Sequence, residues 1–207
     1  MSAENQTTRP DALPVPAAGA HRAATDVALV ATFAAFVAVC AILPSIPMPA
    51  GVPITLQTFG VVLAGLVLGP VRGGLAVLLY LAVGFAGLPV FAEGKSGLSV
   101  LAGPSVGYLV SFPFAAALAG WFGTLALRLR PRLRWAGLFA AGFGASLLVV
   151  HPLGIAGLVA RLDMTVLEAF VGVDLRYWPG DVLKNVAAAV VALAVLRSFP
   201  DLGRTRR

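Results

Sequence analysis

The chain alternates between long apolar segments and short stretches rich in glycine, proline and charge. A helix needs about 20 apolar residues to cross the hydrocarbon core of a bilayer. The apolar runs predict a bundle of six transmembrane helices over residues 24–43, 57–69, 71–88, 105–127, 135–158 and 179–197. The second run is short. We expect either that its helix begins earlier, within residues 53–56, or that the preceding loop dips into the protein.

The two ends of the chain are polar. Residues 1–22 are rich in proline and alanine without periodicity, which predicts a disordered tail on the cytoplasmic side. They also lack the order of a cleavable signal peptide, in which a short basic start leads directly into an apolar core. Residues 200–207 predict a basic cytoplasmic tail. The unit between the tails, residues 23–199, is therefore the six-helix transmembrane domain.

Composition places the chain among integral membrane proteins. Of 207 residues, 59% are hydrophobic and only 12% are charged. This composition gives more apolar surface than a soluble domain of this size could bury. The net charge is +6, but the basic residues do not interleave with aromatic ones as on a nucleic-acid surface, so no nucleic-acid partner is expected. Cys40 is the single cysteine, and it suits a buried apolar position. His21 and His151 have no cluster of ligating residues beside them in the sequence, so neither a metal site nor a cofactor is expected.

Charge predicts the orientation. With both termini in the cytoplasm, eleven basic residues are inside and three outside. The inner set consists of Arg9, Arg22, Arg72, Arg128, Arg130, Arg132, Arg134, Arg197, Arg204, Arg206 and Arg207, and the outer set of Lys95, Arg161 and Arg176. The remaining one of the fifteen is Lys184. The outer loops, 44–56, 89–104 and 159–178, are then the long ones, and we expect them to cover an outward-facing ligand site.

Asp181 and Lys184 are ionisable residues in the last apolar segment. Such residues at membrane depth are costly and tend to mark a ligand or ion site. Pro179 suits the first turn of a helix, where the dipole favours an anion such as Asp181. Lys184 then lies on the same face, about one turn deeper. The pair is either an ordinary ion pair at a helix start or a donor and an acceptor for a polar ligand. The second reading is favoured because a cation is disfavoured at this end of a helix.

Further candidate ligand residues lie in or beside the outer loops. Thr55 and Gln57 alternate with apolar residues, which is typical of an extended segment, although a polar start to the next helix is equally compatible. Phe91 follows a helix end marked by glycine and proline. Phe91, Tyr108 and Trp178 could each cover an apolar ligand or sit among lipid headgroups.

Two patterns bear on energy supply and on partners. The letters GKS at residues 94–96 resemble the end of a phosphate-binding loop, but the glycine that this motif needs five residues earlier is Pro89. The sequence therefore predicts neither ATP hydrolysis nor other catalysis within the chain.

In the first helix, small residues recur every three or four positions. They form a face that allows close approach of another helix, either within the chain or from a separate subunit. They are Ala24, Ala28, Ala31, Ala35 and Ala38.

Several motifs, in order, resemble one family. They are VPITLQTFG at 52–60, LGP at 68–70, LLYL at 78–81, GLPVF at 87–91, GP and GY at 103–104 and 107–108, and PGDVLK at 179–184. Over about residues 24–198 the chain resembles BioY, the biotin-specific substrate-binding (S) component of energy-coupling factor (ECF) transporters. It departs from the family pattern at residues 93–96, where EGKS stands in place of a more neutral run of glycine and serine.

The resemblance implies a six-helix protein of the prokaryotic cell membrane that captures biotin from outside. It implies coupling to a transmembrane scaffold subunit of the EcfT/BioN type, which would meet the alanine face, and to ATPase subunits of the EcfA/BioM type. Asp181 and Lys184 match the family's ligand-binding positions, and Thr55, Gln57, Tyr108 and Phe91 are weaker matches. The open alternatives are an S component for another small vitamin, a stand-alone secondary carrier of biotin, or an intramembrane enzyme.

Overall fold

The computed structural model describes residues 18–48 and 50–204. Over these residues the chain is helical apart from loops and one isolated antiparallel bridge between Ile46 and Ile54. The helices are α1 (Ala18–Ile42), α2 (Gln57–Leu68), α3 (Pro70–Phe85), α4 (Val106–Ala126), α5 (Arg134–Ala145), α6 (His151–Leu162), α7 (Val166–Glu168), α8 (Trp178–Ser198) and α9 (Pro200–Arg204).

Helices occupy the predicted apolar segments. Four helical spans of the described residues are long and apolar enough to cross a membrane, namely Arg22–Ile42, Val106–Ala126, Pro131–Leu162 and Trp178–Ser198. The third contains both α5 and α6, which a π-helical turn at Ser146–Val150 joins. Helices α2 and α3 are apolar but shorter. Helix α1 begins inside the predicted N-terminal tail of residues 1–22, of which residues 1–17 lie outside the described residues.

The short helix α2 lies in the middle of the bundle. It has 12 residues, about 18 Å of helix, and almost every one from Gly60 to Leu68 is buried. It begins at Gln57, so it does not extend back into residues 53–56; the preceding loop instead folds onto the protein. Because protein rather than lipid surrounds α2, neighbouring segments of the chain continue past its ends, and it can be shorter than a helix that faces lipid.

Glycines allow the central helices to approach closely. A Cβ atom at Gly65 of α2 would overlap the backbone of Ala116 in α4, and one at Gly73 of α3 would overlap Gly65. Gly120 of α4 likewise lies against the backbone of Gly69, whose φ of 87° makes the turn between α2 and α3. Small residues at helix contacts are the usual basis of tight packing in lipid.

Large apolar side chains are exposed around the outside of the bundle. They come from several helices, among them Val39, Leu78, Phe114, Trp121, Leu148, Leu183 and Val190. A monomeric soluble protein rarely exposes so wide an apolar surface, whereas contact with lipid requires one. The distribution of side chains thus agrees with membrane insertion.

Candidate functional site

A pocket opens where the non-helical segment before α2, the loop after α3, and the first turns of α4 and α8 meet. It encloses about 690 Å³, including space open to solvent. All six residues that the sequence predicts as ligand-binding line this one pocket: Thr55, Gln57, Phe91, Tyr108, Asp181 and Lys184. The structure brings them together from four separate parts of the chain. Their contact with a ligand stays a prediction.

The Asp181–Lys184 pair lies at the polar end of the pocket, and Thr58 lies beside it. Pro179 occupies the first turn of α8, so Lys184 follows Asp181 by one turn on the same face. The Lys184 Nζ atom donates to Asp181 Oδ1 at 3.1 Å and to the Thr58 hydroxyl at 3.1 Å. Thr58 in turn donates to Asp181 Oδ1 at 3.3 Å. Both charged side chains are nearly buried, yet both border the pocket, so each can exchange part of this bonding for a ligand.

Behind Asp181 lies a polar network that the sequence reasoning missed. His151 on α6 faces two carboxylates, with Nδ1 2.9 Å from Asp174 and Nε2 3.4 Å from Asp181. Asp174, which follows a π-helical turn at Ala169–Val173, also accepts from the Tyr108 hydroxyl at 2.9 Å and from Trp178 Nε1 at 3.1 Å. His151 therefore has carboxylate partners, although none lies next to it in sequence. An ionisable residue within an apolar run was the available signal.

Aromatic side chains form the apolar wall. Tyr108 and Tyr177 meet edge to face, with ring centroids 5.9 Å apart, and Phe112 lies one turn further along α4. The Tyr177 hydroxyl, which lies just before the membrane-spanning part of α8, donates to the carbonyl of Val52 at 2.7 Å. Burial raises the pKa of Tyr177 to about 12, so the hydroxyl stays protonated and ties the segment before α2 to the start of α8.

Phe91 is an anchor of the loop after α3 as well as a pocket residue. Its side chain is only 2% exposed, so it does not lie in the headgroup region. The ring fits against Gly84, where a methyl group would overlap it, and meets Tyr80 edge to face. Tyr80 accepts from Gln57 Nε2 and donates to the carbonyl of Val90. The loop after α3 is thus fixed to α2 and α3 on one side of the pocket.

Thr55 and Gln57 lie at the junction between the extended segment and α2. The Thr55 hydroxyl accepts from the backbone N–H of Gln57 at 3.2 Å, as a residue that caps a helix start does. Both interpretations of this stretch therefore hold in part. Residues before Thr55 are extended, and Gln57 begins the helix. Each side chain still contributes to the wall of the pocket.

The mouth of the pocket carries one basic residue, Lys95. It belongs to the loop in which EGKS stands, and its Nζ atom forms an ion pair with Glu93 at 2.7 Å. Both side chains are about half exposed. Such an exposed pair is weak, so Lys95 can change partner at little cost.

The alanine face of α1 points away from the bundle. Ala24, Ala28, Ala31 and Ala35 are exposed, and Ala38 is partly exposed, whereas Ala34, Val37 and Ala41 on the other face are buried. Ala24, Ala28, Ala31 and Ala35 therefore do not serve intramolecular packing, whereas Ala38 packs against the core. In the described part of the chain, no group of three or more histidine, cysteine or acidic side chains is arranged to hold a metal ion.

Known proteins match this chain in sequence over most of its length. Residues 9–201 match the model of the BioY family. The chain is 36% identical over 180 residues to the biotin transporter BioY of Rhizobium etli, an alignment covering 86% of this chain and 96% of that protein. It is 39% identical over 187 residues to the biotin transporter BioY of Rhodobacter capsulatus, covering 85% and 95% respectively.

A solved structure has the same fold. It is a crystal structure of the S component for biotin from an ECF-type ABC transporter, with a TM-score of 0.77 and 27% sequence identity. The superposition covers 86% of this chain and 93% of that one. The family match over residues 9–201 includes all the helices that build the pocket. The chain belongs to the BioY family.

Proposed function

We propose that the chain binds biotin with high affinity at the outer face of the cell membrane and takes it up as the S component of an ECF importer. The observation that carries this proposal is the Asp181–Lys184 pair at the polar end of an otherwise apolar, aromatic-walled pocket. The relatives, named biotin transporters, and the solved biotin S component support the same ligand. A transport subunit, rather than an enzyme, is the role these names support.

The proposed topology has six membrane-crossing helices and both termini in the cytoplasm. Helices lie in all six predicted segments, and the excess of basic residues on one side supports the orientation. Residues 1–17, 49 and 205–207 are outside the described part, and their arginines enter the charge count from the sequence alone. In this orientation the pocket opens outward, where a bacterium meets external biotin.

The polar end of the pocket fits the ureido ring of biotin. That ring offers two N–H donors and one carbonyl acceptor. The Asp181 carboxylate accepts from the N–H groups, and the Lys184 ammonium donates to the carbonyl, both as charge-assisted hydrogen bonds. The thiolane ring then lies against the aromatic wall that Tyr108, Phe112 and Tyr177 form.

The valerate carboxylate of biotin then points toward the mouth of the pocket. With the ureido ring at Asp181, the far end of the ligand comes to Lys95, which lines the pocket from the outer loop. We propose that this ammonium leaves Glu93 and pairs with the ligand carboxylate. Thr55, Gln57 and backbone N–H groups near the segment before α2 supply further donors.

Substituting Lys95→Ala should weaken biotin binding roughly threefold, because an exposed ion pair contributes less than about 1 kcal/mol. Binding of biotin methyl ester, which has no carboxylate charge, should not change. Glu93→Gln is the matched control: it removes the competing partner and should strengthen biotin binding slightly. Titration calorimetry of the purified variants measures all three. An equal loss for biotin and its ester would place the carboxylate elsewhere.

The driving force for uptake comes from partner subunits in this proposal. The alanine face of α1 is exposed and suits a scaffold helix, and the solved relative belongs to an ECF-type ABC transporter. ATPase subunits bound to that scaffold would supply the energy. Uptake of labelled biotin by cells that express the chain without scaffold and ATPase genes should stay at background. Uptake above background would instead indicate a stand-alone carrier.

Equilibrium binding to the purified protein tests the ligand assignment. We expect saturable binding of biotin at submicromolar concentration, and no comparable binding of thiamine or riboflavin, whose rings lack the ureido group. Absence of saturable biotin binding at submicromolar ligand would reject the proposal. Tight binding of another vitamin in its place would favour an S component of different specificity.

A further inference from the structure

His151 lies between two carboxylates in the interior of the protein, one layer behind the pocket. Its Nδ1 atom is 2.9 Å from Asp174, and its Nε2 atom is 3.4 Å from Asp181 Oδ2, an ion-pair distance. The three side chains are at most 4% exposed. Within the described residues, His151 and Asp174 are absent from the pocket wall, whereas Asp181 belongs to it. His151 therefore reaches a ligand only indirectly, either through Asp181 or through Asp174 and the Tyr108 side chain.

The two carboxylates that face the ring favour its protonated form. A neutral imidazole carries one N–H, so one of its nitrogens would direct a lone pair toward a carboxylate oxygen. The imidazolium presents an N–H to each carboxylate, with a hydrogen bond from Nδ1 to Asp174 and an ion-pair contact from Nε2 to Asp181. Asp174, His151, Asp181 and Lys184 then form a row in which negative and positive charges alternate and sum to zero. Buried charges are tolerated when they are paired in this way and are costly when one partner is missing.

The far end of this row is fixed to the protein frame. Asp174 accepts from the Tyr108 hydroxyl of α4 and from Trp178 Nε1 of α8, and the Trp178 ring lies 5.5 Å from the His151 ring. Gly154, less than one turn beyond His151, leaves the space that the Tyr108 ring fills. π-helical turns, which recur at functional sites, immediately precede both His151 and Asp174. Three helices thus converge on one buried carboxylate.

We infer that His151, as an imidazolium held by Asp174, is a positioning residue that fixes the Asp181 carboxylate for ligand binding. The Nε2 atom of His151 faces Oδ2 of Asp181, while Lys184 and Thr58 contact Oδ1 at the pocket. The imidazolium also balances the charge of the buried Asp174 carboxylate. Without it, the two carboxylates of Asp174 and Asp181 would have only the positive charge of Lys184 to balance them. This inference rests on the proposed function, because its first test measures biotin binding. Its second test, by spectroscopy, does not depend on biotin.

The binding test is a set of substitutions read by calorimetry. His151→Gln should raise the Kd for biotin roughly tenfold or more, since the Asp181 carboxylate loses the buried cation that faces its Oδ2 atom. In an Asp181→Asn background the same substitution should cause little additional loss, because its effect passes through Asp181. Adding Asp174→Asn to His151→Gln should restore part of the affinity, because it restores the charge balance. Additive losses, or a double variant no better than His151→Gln, would overturn the inference.

The spectroscopic test needs no ligand. The chain has two histidines, so protein labelled with ¹⁵N-histidine and free of tag histidines gives two sets of ring signals, and His151→Gln assigns them. At neutral pH we expect both His151 ring nitrogens to be protonated, and Asp174→Asn to release the ring toward a neutral tautomer. A neutral His151 ring in the wild-type protein would overturn the inference even if biotin binds. A wild-type protein that fails to bind biotin would reject the proposed function while leaving this measurement decisive for His151.

Discussion

Replacing Asp181 with asparagine should weaken biotin binding by about two orders of magnitude or more. Removing one partner of a buried ion pair costs about 3–5 kcal/mol because the other charge is left uncompensated. Here the loss leaves Lys184, whose Nζ atom lies 3.1 Å from the Asp181 carboxylate, without its carboxylate partner. The variant also replaces a charged acceptor for the ureido N–H groups with a neutral one.

Calorimetry on Asp181→Asn and Lys184→Ala, with expression level as a check on folding, measures this effect. Asp163→Asn is a matched control: it makes the same chemical change at an exposed site away from the pocket, in a left-handed conformation that asparagine tolerates. We expect wild-type affinity for that control. Wild-type affinity in both Asp181→Asn and Lys184→Ala would show that the pair is purely structural.

Replacing Ala31 with tryptophan should abolish assembly with the scaffold subunit. The alanine face is exposed, and close helix contact in lipid depends on small side chains along the whole seam. An indole ring at its centre would hold the partner helix several ångströms away. Binding of biotin by the isolated subunit should be unchanged, because Ala31 is not part of the pocket.

Co-purification with tagged scaffold and ATPase subunits, alongside biotin titration of the isolated variant, separates these outcomes. Ala140→Trp provides the control: Ala140 is an exposed alanine on α5, a helix outside the α1 face. It should leave both assembly and binding intact. Loss of biotin binding together with assembly in Ala31→Trp would indicate a folding role for α1 instead, and intact assembly would place the scaffold elsewhere.

The parts of the site that the sequence predicted are those that local geometry determines. Asp181 and Lys184 are three residues apart, and Pro179 marks the helix start, so the structure has little freedom in placing one beside the other. The apolar segments likewise predicted where helices lie. The spacing of the alanines also predicted that they share one face of α1, although it left open whether that face packs within the chain or meets another subunit.

The parts that the sequence did not predict depend on packing between distant segments. Asp174 meets His151 across 23 positions of sequence, after two π-helical turns that no residue pattern announced. Phe91 is buried because Gly84 on the neighbouring helix leaves room for its ring. Helix α2 can be short because it lies in the middle of the bundle, a position that its own sequence does not reveal. In each case the structural role depends on the segment that packs against the residue or helix, and the adjacent sequence does not identify that segment.

A structure of the protein with biotin bound tests the central claim most directly. We expect the ureido ring within hydrogen-bonding distance of Asp181 and Lys184, the thiolane ring against Tyr108 and Tyr177, and the carboxylate near Lys95. Biotin bound outside this pocket, or bound with its carboxylate rather than its ureido ring against Lys184, would contradict it.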